Sequence, residues 1–250
     1  RLLILLARWF ERFLYRGADQ VVINSPGYKS HVKDRGARRV ALIPNGVDVS
    51  MFNPKDKGAE FRQAHDLEGK FVVMYAGAHG MSNDLGVVIE AAEGLSDLKK
   101  LAIVLIGDGK EKSALMRKTA ALKLSNVYFL PPMSKNDIAK ALAAADACVA
   151  ILKPLDAYKT TYPNKVFDYM AAGRPILLVI DGVIRTVVEE AGAGIFVRPG
   201  YPQALVGAIK VLKTDKKLCA RMGGAGRKWA KKRFDRKNLT DKMHAVMKTM

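Results

Sequence analysis

From residue 71 onward, short and nearly unbroken apolar runs alternate with stretches in which apolar and polar residues recur at helical spacing. The apolar runs fall at 71–77, 101–107, 127–130, 147–152, 175–179 and 194–197, and the helical periodicity at 84–95, 110–122, 135–144, 164–172, 183–191 and 202–212. A strand that is apolar on both sides has no face to give to water. Such strands, separated by amphipathic helices, imply an α/β protein whose parallel sheet is covered on both faces. Two or three further helices are expected from Lys216 to the end. Ligands of open parallel sheets bind beyond the carboxyl ends of the strands, so the loops of interest are 77–84, 107–110, 130–134 and 152–165.

The first seventy residues read differently. Leu2, Leu5, Leu6, Trp9, Phe13 and Leu14 recur at helical spacing with Arg1, Arg8, Arg12 and Arg16 between them, an amphipathic basic helix. Such a helix packs on a core or lies on an anionic bilayer, and the strand-like run at 18–24 that follows at once favours packing. Ser25 as cap and Pro26 in the first turn predict a helix to Arg35, 39–44 reads as a strand, and Asn45-Gly46 closes it with a turn. The polar segment 51–58, with Pro54 and Gly58, is the expected linker.

The stretch 160–176, T-T-Y-P-N-K-V-F-D-Y-M-A-A-G-R-P-I, carries the most chemistry. Pro163 and Asn164 predict a turn with Asn164 as N-cap, and Gly173 followed by Pro175 ends the helix. A helix start leaves backbone N–H groups unpaired and carries partial positive charge, so it suits phosphate oxygens, and Lys165 adds a cation. Asp168 follows three residues later on the same face, placed to accept hydrogen bonds from sugar hydroxyls beside a phosphate. The same residues also describe an ordinary capped helix with an intrahelical Lys165–Asp168 ion pair, and the stretch by itself does not choose between them.

Two other loops add less. G-A-H-G-M-S-N-D follows a strand and opens a helix, so Gly77 and Gly80 could let backbone approach a phosphate, and His79 could donate to a phosphate or a base. The loop lacks the full G-x-G-x-x-G of a dinucleotide site. Gly107-Asp108-Gly109 is a tight turn in the same row, and His31, His65 and His244 read as structural or exposed.

Composition narrows the class. At 250 residues, 49% hydrophobic and 26% charged, the chain can bury a full core. A net charge of +18 favours anionic partners: nucleic acid, an acidic membrane surface or phosphorylated substrates. The basic residues cluster only at 227–237, without an aromatic stacking motif or zinc-finger spacing, so nucleic acid is not the expected partner and that cluster reads as a solvated helix face. No apolar run approaches the roughly 20 residues that span a bilayer. Cys148 and Cys219 lack metal or disulfide spacing, which points to a reducing compartment, and no metal is expected.

The segment Ile43-Pro44-Asn45-Gly46-Val47-Asp48 resembles the interdomain bridge of retaining glycosyltransferases of family 4, which have the GT-B fold of two Rossmann-like domains. Three further pieces agree in order: V-M-Y-A-G with L-G-V-V-I-E-A-A across 73–92, L-I-G-D-G at 105–109, and F-L-P-P at 129–132; 160–176 is the fourth. The resemblance implies a doubly wound parallel sheet forming the donor-binding second domain at 51–235. Residues 1–50 would then be a remnant of the N-terminal acceptor domain with the bridge, and 236–250 a C-terminal helix. It implies a UDP- or GDP-sugar as donor, with Gly80 and its neighbours and 162–165 (Tyr162, Pro163, Asn164, Lys165) at the diphosphate, and Gly77, His79 and Gly107 also among the donor-binding residues. Pro132 and Met133 with Ser134 would meet the base, and Asp168 the ribose hydroxyls.

Two departures from the family stand out. The family often has two Glu residues seven positions apart; here Asp168 replaces the second and Thr160 stands eight residues before it. The Arg and Lys of the first glycine loop are absent, and Lys165 compensates in a pattern, P-x-K-x-F-[E/D]-Y, similar to a subgroup that builds bacterial surface polysaccharides. Arg1 in place of Met implies a fragment, a trimmed chain or a processed one, with catalytic residues in the part not included. The expected function is the donor half of a transferase acting in the cytoplasm on a lipid-linked or saccharide acceptor, with peripheral contact at the inner face of an anionic membrane. Its rivals are a non-catalytic nucleotide-sugar-binding subunit completed by a partner chain, and a nucleotide-sugar epimerase.

Overall fold

The computed structural model describes residues 2–248; Arg1 and the last two residues of the expected C-terminal helix lie outside them. The main body is a six-stranded sheet of β3 (Phe71–Ala76), β4 (Leu101–Ile106), β5 (Val127–Leu130), β6 (Ala147–Ile151), β7 (Ile176–Val179) and β8 (Gly194–Phe196). Its spatial order is β5-β4-β3-β6-β7-β8 and every pairing is parallel. This is the doubly wound α/β sheet that the apolar runs imply, with strand order reversing between β3 and β6.

All six side chains of β4 are buried, and they divide by parity as a pleat requires. Ala102, Val104 and Ile106 join one core with residues of α6 (Lys135–Ala144), α7 (Asn164–Ala171) and α8 (Val183–Glu190). Leu101, Ile103 and Leu105 join the other, with α4 (Leu85–Glu93), α5 (Lys112–Ala121) and α9 (Pro202–Thr214). Each fully buried Val, Leu or Ile contributes about 1.5–3 kcal/mol, so these two layers dominate the favourable side of folding. The helix α10 (Lys216–Arg233) feeds both cores, with Ala230 in the first and Leu218 and Met222 against the second.

One helix escapes the sequence pattern. α3 (Ala59–Ala64) follows the polar 51–58 segment and is too short to show a period. It is fixed from outside: Arg62 donates to Asp146 Oδ2 at 2.8 Å and to the Lys70 carbonyl at 2.9 Å, and Asp146 Oδ2 also accepts from Val72 N–H at 2.7 Å.

The N-terminal part is a separate two-stranded parallel sheet, β1 (Val21–Ile23) with β2 (Val40–Leu42), beside α1 (Leu2–Gly17) and α2 (Lys29–Asp34). Ser25 does not cap a continuous helix: a 3-10 turn at Pro26–Tyr28 precedes α2, and the Ser25 hydroxyl instead donates to the Thr160 carbonyl at 2.5 Å. The segment after β2 crosses to the body, where Val47 N–H donates to Phe234 O at 2.8 Å and Arg236 N–H donates to Val47 O at 2.9 Å, at the start of α11 (Arg236–Lys248). Among the described residues no helix is long and apolar enough to cross a membrane.

Candidate functional site

At the carboxyl ends of β3, β4 and β5, next to the point where strand order reverses, lies a cavity of about 430 Å³. Its floor is made of strand ends, Gly77 and Gly107; one wall is the β5–α6 loop with Pro132 and Met133, and another is the face of α7 that carries Lys165 and Asp168.

The floor requires glycine. Gly107 has φ +140, and a β-carbon there would overlap the Gly77 carbonyl oxygen, so the two strand ends meet backbone to backbone. Gly77 has φ +150, and a β-carbon on it would lie 2.7 Å from Lys165 Nζ. Its missing side chain is the space the ammonium occupies. Lys112, at the start of α5, donates to the Gly107 carbonyl at 2.8 Å and holds this corner.

Lys165 and Asp168 share a face of α7, as three-residue spacing dictates. No ion pair joins them among the described residues, so the ordinary intrahelical pair is not formed. Lys165 Nζ donates to Tyr75 Oη at 2.7 Å and lies 3.9 Å from the centre of that ring; Tyr75 in turn donates to the Ala78 carbonyl at 2.7 Å. Burial without a carboxylate partner brings the Lys165 pKa down to about 7. Asp168 has no side-chain hydrogen bond among the described residues; burial raises its pKa, with the charges of Lys135 and Arg236 pulling the other way. A half-buried cation and an unsatisfied acceptor thus face one cavity, an arrangement that calls for a ligand bearing both anion and hydroxyls.

Several expected site residues lie elsewhere. His79 is fully buried; its ring sits 6.1 Å from that of Tyr75 and 6.2 Å from that of Phe129, and neither ring nitrogen finds a partner. Burial, then the neighbouring Lys112, lowers its pKa, and the residue does not line the cavity. The cause is the turn at Gly109, whose missing side chain lets its backbone close against that of His79.

Gly80 opens onto a smaller neighbouring groove with Met81, Asp84 and Lys153. Tyr162 packs edge-on against Phe167 and Phe234, at 5.7 and 6.2 Å. Pro163, not Asn164, occupies the cap position of α7, and the Asn164 side chain accepts from Asn45 at 3.1 Å. None of these four lines the cavity.

Sequence reasoning missed Lys135 and Tyr169, which line the cavity, and Tyr75, which carries the ammonium. Lys135 had a signal: a lysine in the first turn of a helix opposes the helix dipole, which invites a reason for its presence. The Ser134 hydroxyl caps that helix by accepting from Asp137 N–H at 3.3 Å. Tyr169 accepts from Ala76 N–H at 3.0 Å and so ties α7 to the end of β3.

Residues 57–229 match the family described as glycosyl transferases group 1. The chain belongs to that family. Residues 1–51 match a second description, Glycosyltransferase Family 4. Among curated relatives, the D-inositol 3-phosphate glycosyltransferase of Nocardia farcinica is 26% identical over 238 residues, 88% of this chain and 52% of that protein. The chain spans about half the length of such relatives. Among solved structures, Anabaena HepE in complex with UDP-glucose superposes with a TM-score of 0.84 at 20% identity, over 98% of this chain and 68% of that one. WaaG, a glycosyltransferase involved in lipopolysaccharide biosynthesis, does so with a TM-score of 0.72 at 18% identity, over 90% and 61%. At these identities the two superpositions speak to the group 1 fold: a parallel α/β sheet of the GT-B kind.

Proposed function

We propose that this chain is the donor-binding part of a glycosyltransferase that moves a sugar from a nucleoside diphosphate sugar to an acceptor with retained anomeric configuration. The observation that carries the reading is the shared cavity in which an unpaired Lys165 ammonium, an unsatisfied Asp168 carboxylate and two side-chain-free strand ends converge. The N–H groups of Gly77 and Gly107 are bonded to the Ile106 and Leu130 carbonyls, so these side-chain-free strand ends offer a pyrophosphate room, and Lys165 can swing from Tyr75 to its oxygens. Pro132 and Met133 offer an apolar wall for the base, and Asp168 accepts from ribose hydroxyls. That HepE is known with UDP-glucose supports a UDP-sugar over a GDP-sugar.

In this reading catalysis rests on electrostatics. Negative charge grows on the departing diphosphate, and the Lys165 cation stabilises it more than it stabilises the ground state. Acceptor contacts and the group nearest the reacting carbon belong to a domain of the kind that family 4 members carry before the bridge. The chain by itself therefore binds nucleotide and transfers little or no sugar. The test is a thermal-shift series with UDP, GDP and their sugars, since a ligand that binds only the folded state raises the midpoint. A rise with one nucleotide that Lys165→Met and Asp168→Asn each abolish supports the reading; no rise with any of them ends it.

A further inference from the structure

A larger cavity, of about 680 Å³, lies at the opposite edge of the sheet, by the amino ends of β3, β6 and β7. Its lining comes from the starts of those strands, from α10, and from the 51–58 segment with α3. Glycines shape the α10 side. A β-carbon on Gly223 would overlap the Gly173 carbonyl oxygen, so the helix lies directly on the turn after α7. One on Gly224, which also lines the cavity, would meet nothing within 4 Å. Five cations line this space, Lys57, Arg62, Arg174, Lys216 and Arg227, and the acid among its lining residues is Asp146. That carboxylate is already committed to Arg62 and to Val72 N–H. The other four cations enter no ion pair among the described residues.

The two guanidiniums among them have a structural task. Arg174 donates to the Ala143 carbonyl at 2.8 Å and to the Asp56 carbonyl at 2.9 Å, and Arg227 donates to the Ala171 carbonyl, so both answer carbonyls left over where α6 and α7 end. Those bonds do not cancel a full charge. Burial lowers the pKa of both arginines, and the buried Arg174 Nε has no hydrogen-bond partner. Nor does any helix end account for Lys57 and Lys216. Four uncompensated cations around a concavity that is also lined by Phe71, Ala143 and Pro175 have a definite complement. A phosphate ester brings nearly two negative charges and several acceptor oxygens, and takes charge-assisted bonds from guanidinium and ammonium alike. The volume exceeds that of the first cavity and leaves room for the molecule that carries the phosphate.

We propose that this cavity is a second anion site, filled by a small phosphorylated molecule held between Lys57 on the 51–58 segment and Lys216 with Arg227 on α10. It lies across the sheet from the first cavity and shares no lining residue with it, so the proposal does not rest on the donor reading.

The experiment uses the whole chain and a thermal-shift titration at fixed ionic strength, with glucose 6-phosphate as probe and glucuronate and glucose as controls. The expected result is a saturable rise with glucose 6-phosphate, little with glucuronate and none with glucose. The rise should persist unchanged in Lys165→Met, which alters only the first cavity. A Lys57→Gln/Lys216→Gln double variant should lose at least tenfold in probe affinity. Gly224→Leu should lose the probe as well, by filling the space. It should still melt cooperatively and no lower than the original chain, since its side chain meets no neighbour and a helix prefers leucine to glycine. No rise with the probe, an equal rise with glucuronate, or full affinity in the double variant or in Gly224→Leu each overturns the proposal. A rise lost in Lys165→Met but kept in the double variant puts the phosphate in the first cavity and overturns it too. Absence of any UDP shift ends the donor reading alone and leaves this site standing on its own titration.

Discussion

The six-stranded body and the β1–β2 part use the same apolar residue types to opposite effect. In the body, β4, β6 and β7 are buried at every position and two layers of helices close over them. In the N-terminal part the buried apolar set is Ile23, Val32 and Ala37, while Trp9 and Phe13 of α1 are 65% and 61% exposed. α1 meets the rest of that part at one point of its apolar side, Tyr15, which packs against that set, and through polar contacts, Glu11 with Arg35 at 2.6 Å and with His31 at 2.7 Å. Apolar periodicity therefore shows that a face exists, not that it is covered. The body supplies the stability, and the N-terminal part is held to it by a few directional bonds such as those of Ser25 and Asn45.

The sharpest way to break this contrast is a charge on each side of it. Val104→Asp places a carboxylate at a fully buried position between two helix layers. With no partner for it, the loss should exceed about 4 kcal/mol and abolish the cooperative thermal transition. Val22→Asp, at a position 38% exposed in β1, should leave the transition within a few degrees of its original midpoint. Similar losses from both would show that the two parts fold as one unit.

Gly107→Ala should follow in size. The backbone there sits at φ +140 and a methyl would strike the Gly77 carbonyl, so strain and displacement together should cost about 2–4 kcal/mol. Because the damage falls on the cavity floor, nucleotide binding should vanish even in whatever fraction stays folded, which titration calorimetry below the midpoint would read. Retained binding would mean that the two strand ends do not form the ligand's seat.

Lys165→Met should barely disturb the fold but lower UDP affinity by about 10- to 100-fold, the scale of a lost hydrogen bond to a charged group. The pH dependence is specific. The Lys165 pKa is about 7 in the folded chain against 10.5 for an unperturbed lysine. Between those values the unfolded chain holds a proton that the folded chain lacks, so this residue makes stability rise with pH across that window. Below about 7 both states hold the proton and the contribution levels off at its least favourable. Binding runs the opposite way: a neutral amine cannot hold a phosphate, so UDP affinity should fall as pH rises through about 7. Lys165→Arg should bind without that fall, and a fall of the same size in the arginine variant would place the titrating group elsewhere.

The contrast between the two parts also explains what was legible in the sequence. Strands such as L-A-I-V-L-I announce themselves because a doubly covered strand needs nothing but apolar residues. Lys165 and Asp168 were legible together because helix geometry alone puts them on one face. Tyr162 and Asn164 were not, because the path of their loop is set by Phe234 and Asn45, residues distant in the chain. His79 reads as a loop histidine until the turns at Gly107 and Gly109 fold over it. Tyr75 reads as one more core residue of β3, and only the tertiary structure brings its hydroxyl under the Lys165 ammonium.

The smallest expected effect concerns α1 and tests the contrast from its other end. Leu2, Leu3, Leu6, Trp9 and Phe13 are each more than half exposed, and no residue of the helix is buried. Replacing Trp9 and Phe13 together by Ser removes a stacked pair at 5.9 Å and a large apolar surface, yet neither ring belongs to either core layer of the body. The change should stay within about 0.5 kcal/mol of the original stability and leave the UDP shift intact. Helix content should fall slightly, since an isolated helix depends on such side-chain pairs. A loss of several degrees in the melting midpoint would show that α1's apolar face is covered in solution, and the concentration dependence of that loss would tell a second copy of the chain from a rearrangement within one.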